Sequence, residues 1–166
     1  MEHPTIHVRA AERADAGALC DLLNEIIGIG GTTAFETPLT VAEFEEYFLT
    51  GPNCITCYLA EDNNAGPLGF QALEHHAELP DDWADIGTFA RPRPKVPGVG
   101  TALFAVTKVK ARELQLNSIN ATIRADNAGG LAFYRKMGFE DYKISEAVPL
   151  RDGTLVDRVS KRYVLG

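Results

Sequence analysis

Arg93-Pro94-Lys95-Val96-Pro97-Gly98-Val99-Gly100-Thr101-Ala102-Leu103-Phe104 sets two glycines one residue apart, between a proline-rich basic turn and an apolar-patterned stretch. The run before it, Ile86 to Ala90, is short and apolar, as a strand is. After it, Val99, Ala102, Leu103, Val106 and Val109 recur at helical spacing, with Lys108, Lys110, Arg112 and Glu113 largely on other faces. The segment therefore reads as strand, glycine turn and amphipathic helix. Such a turn leaves free main-chain N–H groups at the positive end of a helix dipole, with Lys95, Arg91 and Arg93 beside them. Glycines let an anion approach that backbone closely, so the pattern predicts a diphosphate cradle.

Other glycine loops fit less well. A dinucleotide fingerprint needs a third glycine where this chain has Leu103 and Phe104, and it belongs early in a βαβ unit. A Walker loop needs a lysine before its Ser or Thr, which Gly100-Thr101 lacks. A plain strand-to-helix connection is the remaining alternative.

The sequence downstream bears on that choice. Ser118 to Arg124 is β-like, and Asp126-Asn127-Ala128-Gly129-Gly130-Leu131-Ala132-Phe133-Tyr134-Arg135-Lys136-Met137-Gly138-Phe139 follows. Asn127 reads as a helix N-cap, Leu131 to Met137 as a short helix, and Gly138 as its stop.

These two segments resemble the two central motifs of the Gcn5-related N-acetyltransferase (GNAT) superfamily. The first, Gln/Arg-x-x-Gly-x-Gly/Ala, is met by Lys95 to Gly100; the second is met by Asn127, Tyr134, Gly138 and Phe139. Their order and separation, with one helix and one strand between, also fit. Two departures stand out. Lys95 keeps the charge of the usual Arg but not its bidentate geometry. Pro97 removes one N–H from the loop.

Length and composition agree. The 166 residues suffice for one core, so a single N-acetyltransferase domain over 1–166 is expected. Hydrophobic residues make up 45% and charged residues 23%, as in ordinary globular chains. A net charge of −7 argues against nucleic acid as the main partner. No apolar run is long enough to span a membrane. Met1-Glu2-His3-Pro4 lacks the basic and apolar regions of a signal peptide, so a cytoplasmic location is expected.

The rest of the chain reads as a continuous run of elements. Thr5 to Arg9 alternates like a strand, and Arg13 to Ile27 is helical with Leu19, Leu22, Leu23 and Ile26 on one side. The glycine loop Gly28-Ile29-Gly30-Gly31 leads to a second helix capped by Thr40. Strands follow at Ile55 to Glu61 and Leu68 to His76, about the turn Asp62-Asn63-Asn64-Ala65-Gly66-Pro67. A fourth strand runs from about Ala84 to Ala90, and the last two lie near Tyr142 to Leu150 and Leu155 to Leu165, around Asp152-Gly153. This order predicts an α/β (α+β by some schemes) fold: a mixed, mostly antiparallel sheet of about seven strands with helices on both faces. The resemblance adds that the sheet opens after the fourth strand and admits the pantetheine arm.

It further implies an acyl-CoA-dependent N-acyltransferase with acetyl-CoA as co-substrate. Val96 and Gly98, Val99, Gly100 and Thr101 would hold the pyrophosphate with Lys95 beside them. Main-chain N–H groups of Phe89, Ala90 and Arg91 would bind pantetheine or polarise the acetyl carbonyl. Asn127 would contact the cofactor or simply cap its helix. Tyr134 would be the general acid toward the thiolate, with core packing as its competing role. Asp85, in register with Phe89 on one strand face, is the first candidate general base, through a water. Glu36, Glu74 and His76 are candidates to line the acceptor pocket; solvated surface roles compete for each.

A looser similarity is to phosphinothricin-type amino-acid acetyltransferases, through Asn24 and the stretch Thr33-Ala34-Phe35-Glu36-Thr37-Pro38. It implies a small, amino acid-like amine as acceptor and, by analogy, a homodimer. A protein or peptide amine acceptor is one alternative, and a catalytically weak CoA-binding relative the other. Cys54-Ile55-Thr56-Cys57 has redox spacing but lies on a predicted strand, where the two side chains point to opposite faces. Cys20 sits in a helical pattern and reads as core. Glu74-His75-His76 is expected to bind no metal, because strand alternation parts the two histidines and no third ligand is evident.

Overall fold

The computed structural model describes residues 5–63 and 66–166. Met1 to Pro4 and, in the predicted turn at 62–67, Asn64 and Ala65 lie outside the described residues. Seven strands form one sheet: β1 (His7–Ala10), β2 (Cys54–Asp62), β3 (Gly66–Glu74), β4 (Trp83–Ala90), β5 (Ser118–Arg124), β6 (Glu140–Pro149) and β7 (Leu155–Val164). Their order is β1-β2-β3-β4-β5-β7-β6, antiparallel throughout except between β4 and β5. Four helices cover it: α1 (Ala16–Ile29), α2 (Val41–Glu45), α3 (Val99–Glu113) and α4 (Ala128–Met137). The predicted mixed sheet with helices on both faces is the observed fold.

Two apolar layers fix the sides. Leu19, Leu23 and Ile26 of α1 and Phe44 of α2 pack with Phe70 and Phe89 on one face of the sheet. Phe104 and Ala111 of α3 and Tyr134 of α4 pack with Leu73, Ile86 and Ile119 on the other. β-strand alternation therefore sends Phe70, Glu74, Asp85 and Phe89 toward α1 and α2, and Gln71, Leu73, Ile86 and Thr88 toward α3 and α4.

Element boundaries move where a local interaction outweighs pattern. α1 runs on through Gly28 to Ile29 and stops at Gly30, whose φ of 79° suits a residue without Cβ. α2 is short and continues as a wider turn over Glu46–Thr50. α4 starts three residues before the predicted Leu131, because Asn127 draws Gly129 and Gly130 into the helix by accepting the Gly130 N–H (3.0 Å). β3 ends at Glu74 rather than His76, since the His75 N–H turns away to the Asn53 carbonyl. Strand alternation thus cannot separate His75 from His76, although no group of three or more His, Cys, Asp or Glu able to hold a metal occurs among the described residues.

The cysteines are free thiols. Cys57 packs against the α1 layer, and burial pushes its thiol up to about 12. No described helix is long and apolar enough to cross a membrane.

Candidate active site

Between β4 and β5 the sheet comes apart. Only Trp83, Ala84 and Asp85 of β4 pair with β5, opposite Ser118, Ile119 and Asn120; Ile86 to Ala90 have no partner on that side among the described residues. A cavity of about 1120 Å³ runs through this opening, from Tyr47, Glu74 and Asp85 on the α1 face to Gly98–Thr101 and Tyr134 on the other.

At the far end, Gly98 caps α3 in a left-handed conformation (φ 85°), with no side chain satisfying the cap. The first intrahelical bond runs from the Ala102 N–H to the Gly98 carbonyl (3.0 Å), so the amides of Val99, Gly100 and Thr101 have no acceptor among the described residues. These amides line the cavity, as do Arg91 and Lys95. The local charge is thus positive, although the whole chain carries −7. The side chains of Val96 and Val99 pack inward on Ala60, Leu68 and Leu103, which holds their main chain at the surface.

The two glycines do different work. Gly98 is required by its φ, and a Cβ there would meet little. A Cβ on Gly100 would come within 2.6 Å of the Phe133 ring. Its missing side chain admits α4 against the first turn of α3.

Along β4, the Arg91 N–H donates to the Leu68 carbonyl at 2.8 Å. Antiparallel alternation commits the main chain of Phe89 to β3 as well and turns that of Thr88 and Ala90 toward the opening. Of the three amides expected here from sequence, only that of Ala90 faces the gap.

Tyr134 enters the opening from α4. Its hydroxyl lies 2.8 Å from Thr88 Oγ1, and burial raises its pKa, partly offset by the Thr88 hydrogen bond. The ring packs edge-on against Phe133 and Phe139, so predicted packing and a hydroxyl at the cavity wall coexist. Asn127 also lines the cavity, with its amide engaged at both ends: Oδ1 caps Gly130 and Nδ2 donates to the Thr32 carbonyl (3.2 Å).

On the α1 face, Asp85 is the cross-strand partner of Glu74 and sits beside Asn120. Asn120 Nδ2 donates to Asp85 Oδ1 (2.7 Å), while Asn120 Oδ1 accepts from the Tyr142 hydroxyl. Burial pushes the Asp85 carboxyl above the ordinary carboxylate range, against the pull of the Asn120 bond. Glu74 is raised by burial and then by the Asp85 charge. Tyr47 donates to Glu74 Oε1 (3.3 Å), and burial with that carboxylate pushes its hydroxyl up to about 12. His76 lines the same cavity and accepts the Glu78 N–H at Nδ1 (3.1 Å).

Glu36 lies elsewhere. Its carboxylate accepts the Arg151 main-chain N–H (2.9 and 3.1 Å) and ties down the β6–β7 turn, and it is not part of the cavity wall. Its neighbour Phe35 does reach the wall, against Tyr47 and Phe89, on a segment that Asn24 pins through the Leu39 main chain (2.8 and 2.9 Å). Tyr47, Asn120, Tyr142 and Thr88 escaped the sequence reading. The available signal was a polar Asn120 inside an otherwise strand-like run, but only register shows what it meets.

The profile of the Acetyltransferase (GNAT) family matches residues 18–139, which spans both the acidic cluster and the cradle. The chain belongs to the GNAT family. It is accordingly an acyl-CoA-dependent N-acetyltransferase with acetyl-CoA as co-substrate, as its motifs implied. A Bacillus subtilis (strain 168) protein, YwnH, named as a candidate phosphinothricin acetyltransferase, is 25% identical over 152 residues, covering 90% of this chain and 93% of that one. The fold is shared with a phosphinothricin acetyltransferase from Sinorhizobium meliloti solved with AcCoA (TM-score 0.85, 20% identity, 98% of this chain and 89% of that one). An N-acetyltransferase from Staphylococcus aureus Mu50 has it too (TM-score 0.87, 18% identity, 98% and 99%).

Proposed function

We propose that this GNAT enzyme acetylates the amine of a small, amino acid-like molecule, with Asp85 as general base and Tyr134 as general acid. The observation that carries the reading is the division of charge along one cavity. Uncapped amides with Lys95 and Arg91 lie at one end, Asp85 and Glu74 at the other, and the Tyr134 hydroxyl between them. Lys143 and Arg158 also line the cavity, giving an acceptor carboxylate a basic counterpart. The Bacillus and Sinorhizobium relatives, both named for phosphinothricin acetylation, favour the same acceptor class.

Acetyl-CoA bound here supplies the thioester to be attacked. The Val99, Gly100 and Thr101 amides, with Lys95 and the Val96 and Gly98 main chain, hold its diphosphate. Asp85, its carboxyl raised by burial, takes the proton that the acceptor ammonium must lose, through a water. The Ala90 N–H faces the gap, where an acetyl oxygen would gain charge as the C–N bond forms. Tyr134 gives its proton to the sulfur as the C–S bond breaks; burial keeps that proton in place until then. The proton held by Asp85 returns to solvent and Tyr134 is reprotonated, so the enzyme ends as it began.

Thiol release from acetyl-CoA over a panel of amino acids, simple amines and short peptides tests this. Turnover with free amino acids above the others is expected. Tight CoA binding without turnover of any amine would overturn the catalytic reading, and a preference for peptides would overturn the acceptor. In the same assay, Tyr134→Phe should lower kcat about 100-fold, the low end for removal of a general acid, with KM for acetyl-CoA within about twofold.

A further inference from the structure

Behind Thr88, on the neighbouring strand, lies a polar residue that the mechanism so far leaves idle. Gln71 of β3 is the cross-strand partner of Thr88 and is fully buried, outside the cavity wall. Its Nε2 donates to Thr88 Oγ1 at 2.9 Å, and Thr88 Oγ1 is 2.8 Å from the Tyr134 hydroxyl. Gln71 Oε1 has no hydrogen-bond partner among the described residues. A side chain serving only to fill that space would have no reason to bury an unpaired amide oxygen there.

Hydrogen-bond direction gives the arrangement its meaning. A side-chain amide N–H can only donate, so the Thr88 oxygen accepts from Gln71. Among the described residues the Tyr134 oxygen is the one other partner of the Thr88 hydroxyl, so donating to it is what satisfies the Thr88 proton and leaves the Tyr134 proton free to point into the opening. Were the partner of Thr88 an acceptor, the order would reverse. Thr88 would donate backward, and the Tyr134 proton would be tied to Thr88 and turned away from the reacting sulfur.

We infer that Gln71 is a positioning residue: acting through Thr88, it orients the Tyr134 hydroxyl so that its proton faces the departing thiolate. This rests on the reading of Tyr134 as general acid. Gln71 touches neither substrate, so its effect falls on the chemical step and not on binding.

Steady-state kinetics and melting of Gln71→Met, Gln71→Leu, Thr88→Val and the Gln71→Met/Thr88→Val pair, beside Tyr134→Phe, test the inference. Both Gln71 variants remove the donor along with the orphaned oxygen, and each is expected to melt at or above the wild-type temperature. Each should nevertheless lose about tenfold in kcat, with KM for acetyl-CoA within about twofold. Thr88→Val should lose a similar amount, the pair no more than either alone, and Thr88→Ser should retain wild-type kcat. A wild-type kcat in a folded Gln71 variant would overturn the inference, as would losses that multiply in the pair. A silent Tyr134→Phe would instead remove the acid role on which it stands. If Tyr134→Phe is impaired and the Gln71 variants are not, the positioning role alone fails.

Discussion

At the α3 end the cavity is walled by main chain from one continuous segment, Val96 to Thr101; at the β4–β5 end it is walled by Tyr47, Glu74, Asp85 and Asn120, side chains from four separate elements. The first wall needs a turn conformation and an uncapped helix, both of which leave local marks in sequence. The second needs register. Glu74 meets Asp85 because β3 and β4 pair as they do, and Asn120 meets Asp85 because the parallel pairing ends there. Substitutions should therefore behave differently at the two ends. Changes at the α3 end should act on cofactor affinity and stability together, and changes at the other end on rate.

Asp85→Asn is the sharpest way to break that distinction. It should lower kcat about 100-fold with KM for acetyl-CoA unchanged, and abolish the low-pH limb of the rate profile. Its stability effect should run the other way. Burial raises the folded-state pKa of Asp85, so its ionisation opposes folding. That penalty is absent below the usual carboxylate range and complete above the raised value. Asp85→Asn should therefore melt higher than wild type at pH 7, with the advantage vanishing in acid, while Glu74, His76, Tyr47 and Tyr142 remain around it. A large change in cofactor affinity would show that the two ends are not separate.

The glycines give the next largest effect. Gly100→Ala forces a Cβ to 2.6 Å from Phe133 and should cost about 1–3 kcal/mol, with KM for acetyl-CoA rising about tenfold. Gly98→Ala places an ordinary residue at φ 85° in open space and should cost roughly 1–2 kcal/mol. Melting curves would register roughly 2–4 °C per kcal/mol in a chain of this size. Lys95→Ala should matter less, with a two- to fivefold rise in KM (about 0.4–1 kcal/mol) that shrinks as salt is added. Glu36→Ala should leave KM for the amine unchanged and lower the melting temperature slightly, since its carboxylate serves the Arg151 turn. A raised amine KM would return Glu36 to the acceptor pocket.

How legible each part was follows the same division. The glycine turn, the Asn127 cap, the Gly138 stop and the strand and helix order all rest on neighbours in sequence, and the structure has them where the residues suggested. The packing role of Gly100 was not legible, because its contact, Phe133, lies 33 positions away in the chain. Glu36 was a candidate for the acceptor pocket, but nothing local says that Phe35 meets β4 while Glu36 meets a turn between β6 and β7. The histidines were placed on a strand that ends before them, because the Asn53 carbonyl claims the His75 amide. Polar partners such as Asn120 and Tyr142 cannot be paired without the register.

The contact between Gly100 and Phe133 bears finally on how this enzyme could change its acceptor. Phe133 immediately precedes Tyr134, so the ring seated on the first turn of α3 fixes the residue proposed as general acid. On that reading the cofactor's far anchor and its proton donor are dimensioned from one joint, and the spacing between them cannot drift while that joint holds. The wall proposed for the acceptor, by contrast, draws on the segment around Phe35 and the turn after β3. Changes there leave that joint untouched, which makes these parts the natural place to graft a new amine specificity.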